Sequence, residues 1–362
     1  MNLLDRRCLF KHTGMVGILA TGMAPAVHAQ AVIRWRLASS FPKSLDTIYG
    51  AAETLARHIR MISGGKFEIM VYPAGELMPA FDVVDGVQQG TVEAAHTAPY
   101  YFFGKNETFA IGGAIPFGLN SRQMSAWTFQ GNGLRLMREF YASYNIISFP
   151  CGNTGAQMGG WFRKEIRSLA DMKGLRFRVG GFAGKVIERL GAIPINLPGG
   201  DIYQALERGT IDAAEWIGPY DDQKLGFNKV APNYYYPGWW EGGLQLDLYV
   251  NQRAYDALTP EYKALIDVAS AAAHVDMQAK YDARNPAALK QLVGAGARLR
   301  PFPAEVMNAA FKQSMQLYAE LSVSNPAWAK VYADYTRFRG DQNLWFRFTE
   351  ATFDRFMQGQ KL

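Results

Sequence analysis

Two arginines separated by a single residue carry the most specific chemistry that the sequence offers. In Gly174-Leu175-Arg176-Phe177-Arg178 the pattern reads as a strand, and a period of two places both guanidiniums on one face. A guanidinium is a planar fork that matches a carboxylate with two parallel hydrogen bonds, and at a strand end it would hold that anion away from water. Spacing alone does not choose between Arg176 and Arg178. The groups that an enzyme needs are not arranged for work. There is no G-x-S-x-G, H-E-x-x-H or C-x-x-C, and no dinucleotide fingerprint after a strand. Gly180-Gly181-Phe182-Ala183-Gly184-Lys185-Val186 hints at a phosphate loop, but it is one residue short and no Ser or Thr follows the lysine. His58, His96 and His274 stand singly, as structural histidines do. These residues point to anion capture rather than catalysis.

Such an arginine needs a strand end and a cleft, and an internal repeat supplies both. Gly90-Thr91-Val92-Glu93-Ala94-Ala95 followed by Pro99-Tyr100 is echoed by Gly209-Thr210-Ile211-Asp212-Ala213-Ala214 followed by Pro219-Tyr220. Upstream, Pro73-Ala74-Gly75-Glu76 answers Pro198-Gly199-Gly200-Asp201, and Arg34-Trp35-Arg36-Leu37 answers Arg176-Phe177-Arg178-Val179. Between them Ile48, Ala52, Leu55, Ile59 and Ile62 recur at helical spacing, Gly64-Gly65 stops that helix, and Phe67, Ile69 and Val71 alternate as a strand. Each half therefore reads strand, helix, strand, turn, helix, strand. That order implies a parallel sheet covered by helices, and two such halves imply an α/β, two-lobed molecule with a ligand cleft between the lobes.

The N-terminus reads as a removable leader. Arg6-Arg7 with Phe10-Lys11 behind them is twin-arginine-like, an apolar stretch runs from about Met15 to Val27, and Val27-His28-Ala29 is a small-residue exit. Residues 1–29 are thus expected to be a signal peptide cut after Ala29, with the mature chain in the periplasm. The full chain has 362 residues, so 333 remain, and loss of two arginines, one lysine and one aspartate lowers the net charge from +6 to +4. Basic and acidic residues alternate without a basic run, which excludes a nucleic-acid tract. Cys8 leaves with the leader, so Cys151 has no partner for an internal disulfide.

Extended, apolar segments at Ile146–Phe162 and Leu244–Asn251 are candidates to cross between domains. The expected boundaries are 31–154 plus 220–247 for domain I, 155–219 plus 248–300 for domain II, and 301–362 for a C-terminal helical extension. In that extension Trp345, Phe346, Phe348, Phe353, Phe356 and Met357 make the last helix apolar round more of its circumference than one packed face requires. Packing on its own domains and a homodimer contact both account for this pattern.

The segments Asn153-Thr154-Gly155-Ala156-Gln157-Met158-Gly159-Gly160-Trp161-Phe162-Arg163-Lys164, Gly174 to Arg178, Ala214-Glu215-Trp216 and Tyr234 to Gly243 resemble, in order and spacing, the DctP family of tripartite ATP-independent periplasmic (TRAP) transporter receptors. The likeness is greatest to the branch that binds 2-oxo acids and lactate, and it spans the mature chain. It implies a type II-like periplasmic binding fold, TRAP membrane subunits as partners, and Arg178 as the residue that binds the substrate carboxylate. It also implies that Gln157, Glu215 and the Trp216 carbonyl hold a cation beside the substrate's carboxylate and its 2-oxo or 2-hydroxy oxygen. These are hard oxygen donors suited to Na⁺ or Ca²⁺ rather than zinc. One buried acid leans to the monovalent ion, and a second from Glu241 or Asp247 would lean to calcium. Tyr101 is a candidate to donate its phenol to a substrate oxygen, Asn153 and Phe182 could line the pocket, and Gln157 counts among the substrate-binding residues as well as the cation ligands. The expected ligand is a small monocarboxylate such as pyruvate, a longer 2-oxo acid or lactate. A receptor of the same fold for a dicarboxylate or aromatic acid without metal, and an exported enzyme, are the competing readings.

Overall fold

The two halves of the repeat fold in the order that their sequences predict. The computed structural model describes residues 32–360, and the leader expected over 1–29, with its cut after Ala29, lies outside them. The first half runs β1 (Ile33–Ser39), a helix Ile48–Ile62, β2 (Phe67–Tyr72), a helix Val83–Gln89 and β3 (Ala94–Thr97). A long strand β4 (Ile146–Asn153) and a short one, β5 (Gly160–Phe162), follow. The second half runs β6 (Arg176–Arg178), a helix Gly181–Arg189, β7 (Ile193–Ile195), a helix Gly199–Glu207 and β8 (Ala213–Ala214). β9 (Asn233–Tyr236), β10 (Gln245–Asn251) and β11 (Arg298–Pro301) complete the strands.

Pairing repeats with the elements. β1 lies between β2 and β3, parallel to both, with Leu37 opposite Val71 on one side and Ala94 on the other. β6 lies between β7 and β8 in the same way, with Phe177 opposite Pro194 and Ala213. An antiparallel strand then closes each set, β10 against β3 and β5 against β8. The result is one sheet of order β2-β1-β3-β10-β4 and another of order β11-β9-β5-β8-β6-β7.

Strand membership differs from the expected boundaries at two places. β9 falls inside 220–247 but pairs in the second sheet, with Trp161 opposite Tyr234. β10 straddles residue 247 yet lies wholly in the first sheet, from Gln245 opposite Asn153 to Asn251 opposite Ile146. Alternation identifies a strand but not its partner, which long-range register decides.

Local chemistry explains the element ends. Ile48, Ala52, Leu55 and Ile59 are buried on one face of their helix, while Ile62 at its end is exposed. Gly64 and Gly65 then adopt φ of 60° and 78°, which terminates the helix where a side chain would be strained. That helix and the first half of a long helix, Pro260–Gly294, cover one face of the first sheet, packing Leu55, Ile59, Ile266 and Ala269 on Trp35, Leu37, Phe149 and Leu248. Each large apolar side chain so buried contributes ~1.5–3 kcal/mol.

Helices Ala304–Ser324 and Pro326–Phe348 lie against both sheets' neighbourhoods. Tyr318 Oη donates to the Pro116 carbonyl (2.8 Å), and Tyr335 Oη accepts from Leu119 N–H (2.6 Å). On the other side Trp328 stacks on Phe182 at 5.3 Å. The apolar C-terminal helix breaks at Thr349 and resumes as Glu350–Gln358. Leu344, Trp345, Phe348, Phe353 and Phe356 remain exposed there. Among the described residues, no helix is long and apolar enough to cross a membrane.

Candidate functional site

The carboxyl ends of parallel strands in the two sheets deliver the polar groups to one place. β3 leads into a tight turn, Pro99–Phe102, that carries Tyr100 and Tyr101. β6 ends on Arg178, and β8 runs directly into Glu215 and Trp216. The β4–β5 connection contributes Asn153, Thr154 and Gln157, and the segment between β9 and β10 contributes Glu241. Ligands of open α/β sheets bind outside such strand ends.

Arg178 is 1% exposed and Glu215 wholly buried. Arg178 Nη1 donates to Glu215 Oε1 and to the Glu215 main-chain carbonyl, both at 2.5 Å, and Nε donates to the Leu197 carbonyl at 3.1 Å. The Gly180 N–H donates to the same Glu215 Oε1 at 2.9 Å. The guanidinium also lies over the Trp216 ring, 5.1 Å from its centroid. Gln157 Nε2 donates to Thr154 Oγ1 (3.0 Å), which accepts from Leu244 N–H (3.1 Å), so the amide's orientation is set and its oxygen faces away. Asn153 Oδ1 accepts from Gly155 N–H (2.9 Å), which sets that amide too.

What these groups leave unused defines the ligand. Arg178 Nη2 and Asn153 Nδ2 are buried donors without a protein acceptor, and Gln157 Oε1, Glu215 Oε2 and Glu241 Oε2 are buried acceptors without a protein donor. A buried polar group left unpaired costs about 1–3 kcal/mol, more when charged, so the set is built for company. The donors call for an anion and the three oxygens call for a cation. Electrostatics agree. Burial pushes the Glu241 carboxyl well above the ordinary range, and the neighbouring Glu215 charge pushes it further, against easing by Tyr100, Arg178 and Gln157. Burial also raises Glu215, with Arg178 and the Gly180 amide pulling the other way. Two buried acids share one guanidinium, and the missing positive charge is what a metal ion would supply. Among the described residues no group of three or more His, Cys, Asp or Glu could hold a metal. A set of amide, carboxylate and carbonyl oxygens therefore fits a hard ion and not a soft one.

The structure separates the sequence candidates. Arg176 is half-exposed and paired with Asp212 at 2.7 and 2.9 Å, whereas Arg178 is the buried one of the two. Of the Arg178 nitrogens, Nη1 and Nε pair with Glu215 and Leu197, and Nη2 has no protein acceptor. Tyr101 stands against the Arg178 guanidinium, whose charge opposes the rise that burial gives its phenol. Phe182 sits among aromatic side chains. Its ring packs with Phe103, Tyr318 and Trp328 at 5.0–5.3 Å and anchors its helix to the C-terminal helices. Asp247 sits in β10, bonded to Gln245 Nε2 at 3.1 Å, away from this set, whereas Glu241 belongs to it. Sequence reasoning missed the Gly180 amide and Thr154. The glycine pair opening a helix after β6 was the available signal for the first, and the second lay within the Asn153–Lys164 segment without a role of its own.

Two α/β sheets with a charged, water-poor site at their facing strand ends define a two-lobed solute-binding protein. The model of the bacterial extracellular solute-binding proteins, family 7 (DctP), matches residues 38–325, and the chain belongs to that family. The monocarboxylate 2-oxoacid-binding periplasmic protein of Nostoc sp. is 45% identical over 344 residues, covering 95% of this chain and 94% of that one. A TRAP transporter solute-binding protein from Bordetella bronchiseptica is 49% identical with a TM-score of 0.89, covering 90% and 97% of the two chains; it is a mixed-occupancy dimer with copurified calcium and picolinate in one site. One from Pseudoalteromonas atlantica, with bound sodium and pyruvate, is 37% identical with a TM-score of 0.86, covering 91% and 100%.

Proposed function

We propose that this protein is the periplasmic receptor of a TRAP transporter and captures a small 2-oxo or 2-hydroxy monocarboxylate together with Na⁺ or Ca²⁺. The observation that carries the reading is the pairing of unsatisfied groups: Arg178 Nη2 and Asn153 Nδ2 beside Gln157 Oε1, Glu215 Oε2 and Glu241 Oε2. In this reading Arg178 and Asn153, with the Tyr101 hydroxyl, take the substrate carboxylate. Gln157, Glu215, the Trp216 carbonyl and Glu241 hold the cation, which the substrate completes through one carboxylate oxygen and its 2-oxo or 2-hydroxy oxygen. Picolinate, seen in the Bordetella relative, fits the same logic. Its carboxylate and ring nitrogen chelate an ion as a carboxylate and 2-oxo oxygen do, so planar aromatic acids with a 2-position donor belong to the candidate class.

The protein's role is binding rather than turnover, with TRAP membrane subunits receiving the solute. Residues 1–29 serve as the export leader, cut after Ala29. The lobes are those of the two sheets, with the segments 153–160 and 236–245 crossing between them. The exposed Leu344, Trp345, Phe348, Phe353 and Phe356 form a homodimer contact, in keeping with the dimer of the Bordetella relative. Calorimetry of the mature chain tests the central reading. Pyruvate, lactate and picolinate should bind with micromolar-class affinity, ~8 kcal/mol, in the presence of Ca²⁺ or Na⁺ and lose it after chelation and Na⁺ withdrawal. Absence of binding by all three with either ion would end it.

A further inference from the structure

The two sheets meet across the site at one contact that only glycine permits. Tyr100, 5% exposed, stands on the turn after β3, and Gly180 and Gly181 follow β6. A Cβ on Gly180 would come within 2.7 Å of Tyr100 Cε2 and 3.3 Å of its Cζ and hydroxyl oxygen. On Gly181 it would come within 2.7–2.8 Å of Tyr100 Cδ2, Cβ and Cγ. The ring thus lies flush along the main chain of both glycines. Tyr101 holds it edge-on, with centroids 5.1 Å apart and planes at 87°, so it has little room to yield. Both ends of this contact touch the site's carboxyls. The Gly180 N–H donates to Glu215 Oε1, and the Tyr100 phenol eases the rise that burial gives the Glu241 carboxyl.

We propose that Tyr100 on Gly180–Gly181 is the closure contact of the cleft, and that Tyr100 is a positioning residue: seating its ring when the lobes shut directs Glu241 into the cation site. The inference rests on the reading that solute and cation are held between the lobes. It explains why glycine occupies Gly180, whose φ of −79° and ψ of 152° suit any residue and give the backbone no need of it. The requirement comes from across the cleft. It also couples capture to closure, because the cation's ligand set is complete only when the ring is seated.

Gly180→Ala is the cleanest test, since its backbone is unstrained and its one clash is with Tyr100. Small-angle scattering of the full mature chain with Ca²⁺ should show compaction on adding pyruvate. Gly180→Ala should lose that compaction and bind pyruvate about ten- to a hundredfold more weakly, mostly through faster dissociation, as expected of overpacking. Gly180→Ala with Tyr100→Ala removes the clash together with the ring, so it should compact again once Ca²⁺ is raised about tenfold to make up for the unseated ring. Tyr100→Phe, which keeps the ring but not the hydroxyl, should compact normally and lose Ca²⁺ affinity about tenfold. The inference is overturned if Gly180→Ala closes and binds as the wild type does, if the double variant stays open, or if Tyr100→Phe binds Ca²⁺ unchanged. A wild type that binds no acid would overturn the functional reading itself, which separates the two failures.

Discussion

One nitrogen of Arg178, Nη1, is held twice by Glu215, through the carboxylate and through the main-chain carbonyl, at 2.5 Å each. The pair is therefore a fixed unit within which Nη2 alone is left to meet a ligand. Removing one partner of such a buried, hydrogen-bonded charge pair costs roughly 2–5 kcal/mol. Arg178→Met should accordingly weaken pyruvate binding by about thirtyfold to several thousandfold. Arg178→Lys keeps the charge but cannot reach Leu197, Glu215 and the ligand together, so it should lose at least about thirtyfold. Titration calorimetry decides, and near-wild-type binding by the lysine variant would refute the geometric role.

Glu241 should govern which ion is preferred. With a cation bound, Glu215, Glu241 and the substrate would all be ionised against one Arg178, a deficit that a divalent ion offsets better than a monovalent one. Glu241→Gln should therefore weaken Ca²⁺ by about tenfold or more while changing Na⁺ far less. Competition of the two ions monitored by tryptophan fluorescence measures this, and an equal loss for both would count against it.

Stability should fall as pH rises towards mild alkali. Asp247 is buried between β3 and β4, and burial pushes its carboxyl up to about 8, with Asp222 and Asp221 raised to about 7 and about 6 for the same reason. The folded chain then retains protons that the unfolded chain releases near pH ~3.9. The native state binds more protons across that window, so these groups favour folding below it and lose that contribution as pH climbs through their folded values. Ligand-free wild type should melt higher at pH 5.5 than at pH 8.5. Asp247→Asn should flatten part of that decline, and an unaltered slope would exclude Asp247 as a cause.

Phe182 should matter for folding and not for binding. Its ring fills the junction of Phe103, Tyr318 and Trp328, so Phe182→Ala should cost about 3–5 kcal/mol of stability. Denaturant melts read that loss. Pyruvate affinity of the folded fraction should remain within about threefold, since the ring lies outside the ligand set.

The C-terminal aromatic face should hold two copies together. Phe348→Asp with Phe353→Asp places charge where the exposed apolar row now stands and should convert a dimer to a monomer by light scattering at micromolar concentration. A wild type that is monomeric there would rule out the contact.

The sequence made the repeat legible because helical and strand periods, and the turns between them, are local signals. Both β-α-β-α-β halves appear where the rhyme of Gly90–Ala95 with Gly209–Ala214 placed them. The partners of β9 and β10 were not legible, because strand pairing across tens of residues leaves no local mark. At the site, residue types were readable and directions were not. Arg176 and Arg178 share a strand and differ only in what the chain brings beside them, Asp212 for one and Glu215 for the other. Phe182 shows the same limit: its neighbours lie more than a hundred residues downstream, at Tyr318 and Trp328.

The order β2-β1-β3-β10-β4 has a consequence for biosynthesis. Residues 33–97 supply three adjacent strands, yet the fourth arrives only when residues 245–251 have left the ribosome. Until then β3 and β4 expose the edges that β10 will join, with no strand between them. Long-range pairing of this kind is slow to form. Nascent chains shorter than about 250 residues are thus natural clients for holding factors, and the first sheet assembles only once about two thirds of the chain has been made.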